Sequence, residues 1–187
     1  MKLGLAQEEE LTGRGVSYCA TCDGALYKGK TVVVIGGGNT ALYDALYLAD
    51  LAKKVYLVHR REEFRGDAVL VERLKKKENV EMVLGMVPAE ILGEKKVTGL
   101  RVKEAQGVEE KELEVEGIFV AIGRKPGTEN FRGLIEMDEK GYIIAGETCE
   151  TSCPGIYAAG DCRKKEVRQL ITAAADGAVA ATKMAQR

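Results

Sequence analysis

Charge of one sign, long apolar runs and histidine are scarce in this sequence, and each shortage removes a class of function. Its 28 Lys and Arg stand against 29 Asp and Glu over 187 residues, so no net field draws the chain to nucleic acid or to a membrane surface. No apolar stretch approaches the roughly 20 residues that a membrane span needs. The opening residues Met1 to Gly4 lead straight to Glu8, Glu9 and Glu10, without the apolar centre of a signal peptide. These features predict a soluble, cytoplasmic protein. Five cysteines are too few and too unevenly spaced for a secreted disulfide scaffold. His59 is the only histidine, and no repeat or low-complexity tract occurs.

Where the sequence is apolar, it is apolar with a period. Thr31 to Ile35 is a short β-branched run bounded by glycines, suited to a strand buried on both faces. Leu42, Ala45, Leu46 and Ala49 then recur at helical spacing, with Asn39 or Thr40 available as a cap. A strand over Lys54 to Val58, a helix capped by Asp67 and a strand over Val80 to Leu84 complete a β-α-β-α-β unit. That order predicts a parallel sheet covered by helices. Ala89 to Leu92, Val97 to Lys103 and Glu109 to Val115 predict an antiparallel meander, after which Gly117 to Ile122 rejoins the parallel sheet. Beyond Gly123, strands are expected over Tyr142 to Ala145 and Ile156 to Ala159. A helix from Arg168 to Gln186 follows, packed through Leu170, Ala174, Gly177, Ala178 and Ala181. The fold class is α/β, a Rossmann-like parallel sheet with an antiparallel β-meander.

Between the first strand and its helix, Gly36, Gly38 and Ala41 have the spacing of a dinucleotide fingerprint. Gly36 allows the tight turn, Gly38 lets backbone approach a pyrophosphate, and Ala41 permits close packing of helix on strand. The helix start at Asn39 and Thr40 offers free N–H groups to phosphate. A purely structural glycine turn is the competing reading, and the flanking strand and amphipathic helix favour the nucleotide. About 20 residues on, an NAD site usually carries an acid for the ribose hydroxyls. This sequence has His59, Arg60, Arg61 and then Arg65. Guanidiniums at a strand end suit a dianionic 2′-phosphate, so NADPH is expected over NADH. A solvated basic loop paired with Glu62 and Glu63 is the other reading.

Upstream lie Cys19, Cys22 and Asp23. A Cys-x-x-Cys at a helix start can lower one thiol's pKa toward about 7, which makes a thiolate available for exchange. With His59 placed among the phosphate-binding residues, Asp23 is the candidate to shuttle a proton to the departing thiolate. Half a zinc site completed by Cys149 and Cys153, or an inert pair of cysteines, are the alternatives. Cys153 and Cys162 flank an apolar strand and read as small buried hydrophobes. A dithiol beside a dinucleotide turn describes electron transfer between a nicotinamide and a disulfide, and the joint signal is more specific than either part.

The runs SYCATCDG (Ser17–Gly24), GGGNTA (Gly36–Ala41), HRREEFR (His59–Arg65), FVAIG (Phe119–Gly123) and PGIYAAGD (Pro154–Asp161), with Arg168 and Gln169, resemble the bacterial thioredoxin reductases in order and spacing. The resemblance covers almost the whole chain. It implies a flavoprotein, homodimeric, that passes electrons from NADPH to FAD, then to a Cys19/Cys22 disulfide, then to thioredoxin or a similar dithiol protein. By the same resemblance Cys22 lies against the flavin, Cys19 attacks the partner protein and Asp23 is the general acid. His59, Arg60, Arg61 and Arg65 would hold the NADPH phosphate. Asp161, Arg168 and Gln169 would contact FAD, with Gly123, Gly160 and Leu170 among the cofactor-binding positions.

The departures from that family are also informative. Its FAD fingerprint has no counterpart here, so the chain is expected to be truncated. Residues 1–18 resemble a linker from the FAD domain, 19–122 the NADPH-binding domain, and 123–187 a C-terminal remnant of the FAD domain. Leu42, Tyr43 and Asp44 stand where members commonly carry two adjacent acids. The alternative function is a non-catalytic NADPH-binding or thiol-exchange module that needs a flavin-bearing partner chain.

Overall fold

A computed structural model describes residues 1–186. In chain order its elements are β1 (Val16–Ser17), α1 (Ala20–Asp23), β2 (Thr31–Ile35), α2 (Asn39–Ala49), β3 (Lys54–Val58) and α3 (Ala68–Lys75). There follow β4 (Val80–Val83), β5 (Met86–Leu92), β6 (Gly99–Glu104), β7 (Glu110–Glu114), β8 (Gly117–Val120) and α4 (Leu170–Ala185). The chain divides into two compact units, Met1–Gly123 and Arg124–Arg187.

The first unit is three layers deep because its central strands alternate. A parallel sheet runs in the order β1-β8-β2-β3-β4. On β2, Val32 and Val34 face one core while Val33 and Ile35 face another. Phe119 on β8 joins the first core, and Ile118 and Val120 the second. Helices α2 and α3 cover the first face through Leu42, Ala45, Leu46, Leu70 and Leu74. The meander β5-β6-β7 covers the second through Ile91, Leu100, Val102 and Leu113. It begins at Met86, earlier than expected, and its register shifts between Pro88 and Glu90, where proline lacks the N–H a regular ladder would use.

Of the two expected helix caps, one forms and one does not. Asp67 caps α3 as predicted, accepting from Val69 N–H at 2.9 Å. At α2, however, the cap position falls to Gly38, which has no side chain to offer. Asn39 turns its Oδ1 to the N–H of Asp67 instead, at 2.7 Å. The first turn of α2 is therefore left without a side-chain cap, and its N–H groups keep their capacity to bind an anion.

Residues 1–18, expected to be connecting chain, fold with the first unit. Leu11 and Val16 are buried in its second core, and β1 pairs with β8. The segment is organised around Glu8, which is only 2% exposed. Its carboxylate accepts from the N–H groups of Leu3 and Gly4 and from the Tyr18 hydroxyl, each at 2.8 Å. Burial works to raise the Glu8 pKa, but these donors, with the N–H of Leu5, outweigh it and hold the carboxyl below its ordinary value. Burial and the charge of Glu8 together push the Tyr18 hydroxyl up to about 12.

In the second unit the expected strands at Tyr142 to Ala145 and Ile156 to Ala159 are not formed. Isolated bridges stand in their place, Met137 with Ile143, Ile143 with Arg163 and Glu150 with Tyr157. Glycines at positive φ, Gly141, Gly155 and Gly160, turn the chain before a ladder can extend. Helix α4 matches the predicted span closely but buries a different side. Asp176 and Ala180 face inward, whereas Leu170, Ala174, Ala178 and Ala181 are exposed. The physical cause is a polar cluster. Asp176 Oδ2 accepts from Lys165 Nζ at 2.7 Å, Gly160 N–H at 2.9 Å and Arg163 Nε at 3.0 Å. Burial opposes ionisation of Asp176, yet these donors hold its pKa below the ordinary value.

Because the folded pKa of Glu8 is depressed, its stabilisation is present above the ordinary glutamate value and is lost as pH falls through the folded one. Replacing Glu8 with Gln sets an amide against donors and is expected to cost about 2 kcal/mol at neutral pH. Urea unfolding followed from neutral pH down through the carboxylate range should show an acid-side loss in the parent chain that is reduced in Glu8→Gln.

Candidate functional site

The turn from β2 into α2 is built by close approach on two of its three glycines. Gly36 has φ 149°, and a Cβ there would lie 2.4 Å from the Ala121 carbonyl oxygen and 2.9 Å from the Ala41 Cβ. Gly37 lies flat under the His59 ring, where a Cβ would come within 2.2 Å of Cε1. A Cβ at Gly38 would meet nothing within 4 Å. The turn is thus clamped from behind and open in front. In front of it is a cleft of about 480 Å³ lined by Gly36, Gly37, Gly38, Thr40, His59, Arg60, Arg61, Arg65 and Gly123, with an apolar end at Met86, Pro88 and Ile122. Ala41 is buried behind the turn, and Asn39 is engaged with Asp67.

The basic loop closes over the same turn, with the N–H groups of Arg65 and Gly66 donating to the Gly37 carbonyl at 2.9 and 3.1 Å. Arg60, Arg61 and Arg65 are exposed, and none forms an ion pair among the described residues, Glu62 and Glu63 included. His59 differs from them. It is 8% exposed, stacked on Phe64 with ring centroids 5.4 Å apart, and its Nε2 is buried without a partner. Burial, followed by the charges of the three arginines, holds its pKa below the ordinary value against the opposing hydrogen bond to the Glu63 backbone. At neutral pH the ring is uncharged, so it presents hydrogen-bonding capacity to the cleft and leaves the positive charge to the guanidiniums.

Cys19 and Cys22 are joined as a disulfide across α1. Cys19 is the N-cap and is half-buried, while Cys22 is exposed. Asp23 closes the helix, its Oδ2 accepting from the Ser17 hydroxyl at 2.7 Å. Ala20 anchors α1 in the first core. Gly24 sets the helix directly on α2, since a Cβ there would lie 2.8 Å from the Tyr47 ring and 3.1 Å from Leu48. The dithiol residues do not line the cleft; the two features share α2 as a common support. No group of His, Cys, Asp or Glu among the described residues is arranged to hold a metal ion.

The remaining predicted positions lie in the second unit. Gly160, at φ 82°, donates to Asp176, and Asp161 is exposed beside it. Arg168 lays its guanidinium over the Tyr142 ring, 4.1 Å from the centroid, and its Nε is buried without a partner. Gln169 is the N-cap of α4, its N–H donating to Thr172 Oγ1 at 3.1 Å, and Leu170 is 88% exposed. Sequence reasoning passed over Gly37, Ser17 and Asp176. Gly37 carried a signal, being the middle of three glycines, whereas Ser17 and Asp176 become visible only once the chain is folded.

Comparison with known proteins agrees with this geometry. The family described as pyridine nucleotide-disulphide oxidoreductase matches residues 1–177. The chain is 43% identical over 184 residues to the thioredoxin reductase of Mycoplasma genitalium, covering 98% of this chain and 58% of that protein. It is 44% identical over 180 residues to that of Listeria monocytogenes, covering 96% and 56%. The crystal structure of thioredoxin reductase from Streptococcus pyogenes superposes with a TM-score of 0.94 at 37% identity, over 100% of this chain and 61% of that one. For the thioredoxin reductase of Giardia duodenalis the values are 0.87 and 37%, over 100% and 62%. The chain therefore spans a little over half the length of the curated relatives it matches. With a disulfide-bearing helix packed on the helix of a glycine-turn cleft, it belongs to the pyridine nucleotide-disulphide oxidoreductase family.

Proposed function

We propose that this chain is the NADPH-binding and dithiol-bearing part of a thioredoxin-disulfide reductase, cytoplasmic and homodimeric, that acts on thioredoxin or a similar dithiol protein. The observation that carries the reading is the Cys19–Cys22 disulfide on a helix seated against α2, whose uncapped N-terminus opens into the cleft. No helix among the described residues is long and apolar enough to cross a membrane.

The residues fit the cofactors that the family uses. Gly38 is open to close approach, α2 keeps its N–H groups free of a side-chain cap, and Arg60, Arg61 and Arg65 have no ion-pair partner among the described residues. The guanidiniums would grip the 2′-phosphate, Thr40 and the first N–H groups of α2 the diphosphate, and His59 Nε2 would gain the partner it lacks. Asp161 and Arg168, with Gly160, Gln169 and Leu170, would form one side of a flavin site, and the orphaned Nε of Arg168 supports that assignment. When bound, NADPH supplies a hydride and FAD converts that electron pair into reduction of a disulfide. Within the chain, Asp23 holds the proton that thiol exchange moves, Cys19 is the sulfur that meets the partner protein, and Cys22 closes the disulfide behind it.

Two outcomes test the reading. Removing the guanidinium of Arg60, Arg61 or Arg65 by alanine substitution should weaken NADPH binding about fivefold each, roughly 1 kcal/mol for an exposed charge-assisted contact, and leave NADH binding nearly unchanged. Titration of nucleotide fluorescence reads both affinities. For the dithiol, Cys19 of Cys22→Ser should attack a thioredoxin that lacks its resolving cysteine and carries its remaining cysteine as a mixed disulfide with thionitrobenzoate, expelling thionitrobenzoate and leaving a stable protein–protein disulfide that mass spectrometry places on Cys19. Absence of that adduct would remove the support for thioredoxin as substrate.

A further inference from the structure

Ser17 ends β1, is 4% exposed and is held in register with Phe119 of β8. Its hydroxyl accepts from the Cys19 N–H at 3.1 Å and donates to Asp23 Oδ2 at 2.7 Å. The other available acceptor, the Cys19 carbonyl oxygen, lies farther off at 3.4 Å. A hydroxyl has one proton, and the shorter, charge-assisted contact takes it. Asp23 is the last residue of a one-turn helix, a place from which a carboxylate would otherwise turn to water. The bond to Ser17 draws it back toward the sheet and Tyr27, whose hydroxyl pKa is raised by burial and by the Asp23 charge.

We propose that Ser17 is the positioning residue of the dithiol site. The strand fixes the hydroxyl, and the hydroxyl holds the carboxylate on the side of the one-turn helix where Cys19 begins it. The inference rests on the reading of Asp23 as the proton carrier. When the disulfide opens, a thiol of the reductant gives its proton to the Asp23 carboxylate and its sulfur attacks one cysteine sulfur. The S–S bond breaks, its electron pair stays on the other sulfur, and that sulfur takes the proton from Asp23. A second thiol of the reductant then displaces the remaining cysteine from the mixed disulfide by the same exchange. One dithiol is thereby oxidised to a disulfide as Cys19–Cys22 is reduced to two thiols.

Reduction of Cys19–Cys22 by dithiothreitol in the full chain, timed at about pH 6.5 and about pH 9.5, tests this. Ser17→Ala should slow reduction about tenfold at the lower pH and less than about twofold at the higher, where thiols of ordinary pKa near 8.5 leave without a proton carrier. Ser17→Thr keeps the hydroxyl and should restore the rate. Asp23→Asn should show the same pH-dependent loss, and the double variant no more than either single one. The two-pH ratio is taken within each variant, so a general loss of stability does not imitate the effect. A lowered thermal midpoint in Ser17→Ala with an unchanged ratio, while Asp23→Asn slows, would overturn the role of Ser17. An unchanged ratio in Asp23→Asn would overturn the proton-carrier reading and the Ser17 role with it.

Discussion

The structure of the first unit depends on how closely backbone can pass at Gly36 and Gly37. Ala121 at the end of β8 and Ala41 on α2 back onto Gly36, while the His59 ring at the end of β3 lies on Gly37. Two strands and a helix therefore meet at two residues without side chains. A methyl group at either position would push apart elements whose other contacts are fully buried, such as Val34, Leu42 and Phe119. The same clamp leaves Gly38 facing open space, which makes the constraint chemically useful as well as structurally necessary.

From that turn the electrostatics follow. A helix start without a side-chain cap and three guanidiniums without ion-pair partners among the described residues converge on one cleft, so positive potential is concentrated where the backbone is most accessible. His59 is buried and kept neutral, and it shapes the cleft while adding no charge. The dithiol stands apart from that field. Its helix is tied to α2 through Gly24 and to β1 through Ser17, so the sulfurs and the glycine turn share a rigid support without sharing a pocket.

Much of this was legible in the sequence because it rests on local signals. The β-branched run Thr31 to Ile35, the helical spacing of Leu42 to Ala49 and the cap at Asp67 each depend on a few neighbouring residues, and each appears where expected. What escaped depends on partners distant in the chain. Asn39 was a reasonable cap until the N–H of Asp67, 28 residues on, claimed its side chain. Asp176 reads as a surface residue of a helix until Lys165, Gly160 and Arg163 surround it, and its burial turns the apolar residues of α4 outward. The strands expected near Tyr142 and Ile156 have the right composition, but glycine turns limit each to single bridges. Glu8 stands in the sequence as one of three consecutive acids with nothing to set it apart, yet it is the centre around which the first residues fold.

The central claim, that the open glycine turn and the free guanidiniums form an NADPH site, is tested most directly by titrating nitrogen-15-labelled chain with NADPH and with NADH and following backbone amide resonances. The account predicts that Gly37, Gly38, Asn39, Thr40 and Arg65 shift first, and that they saturate at a concentration of NADPH about tenfold or more below that of NADH. Equal affinities for the two nucleotides, or shifts that leave these amides unmoved, would contradict it.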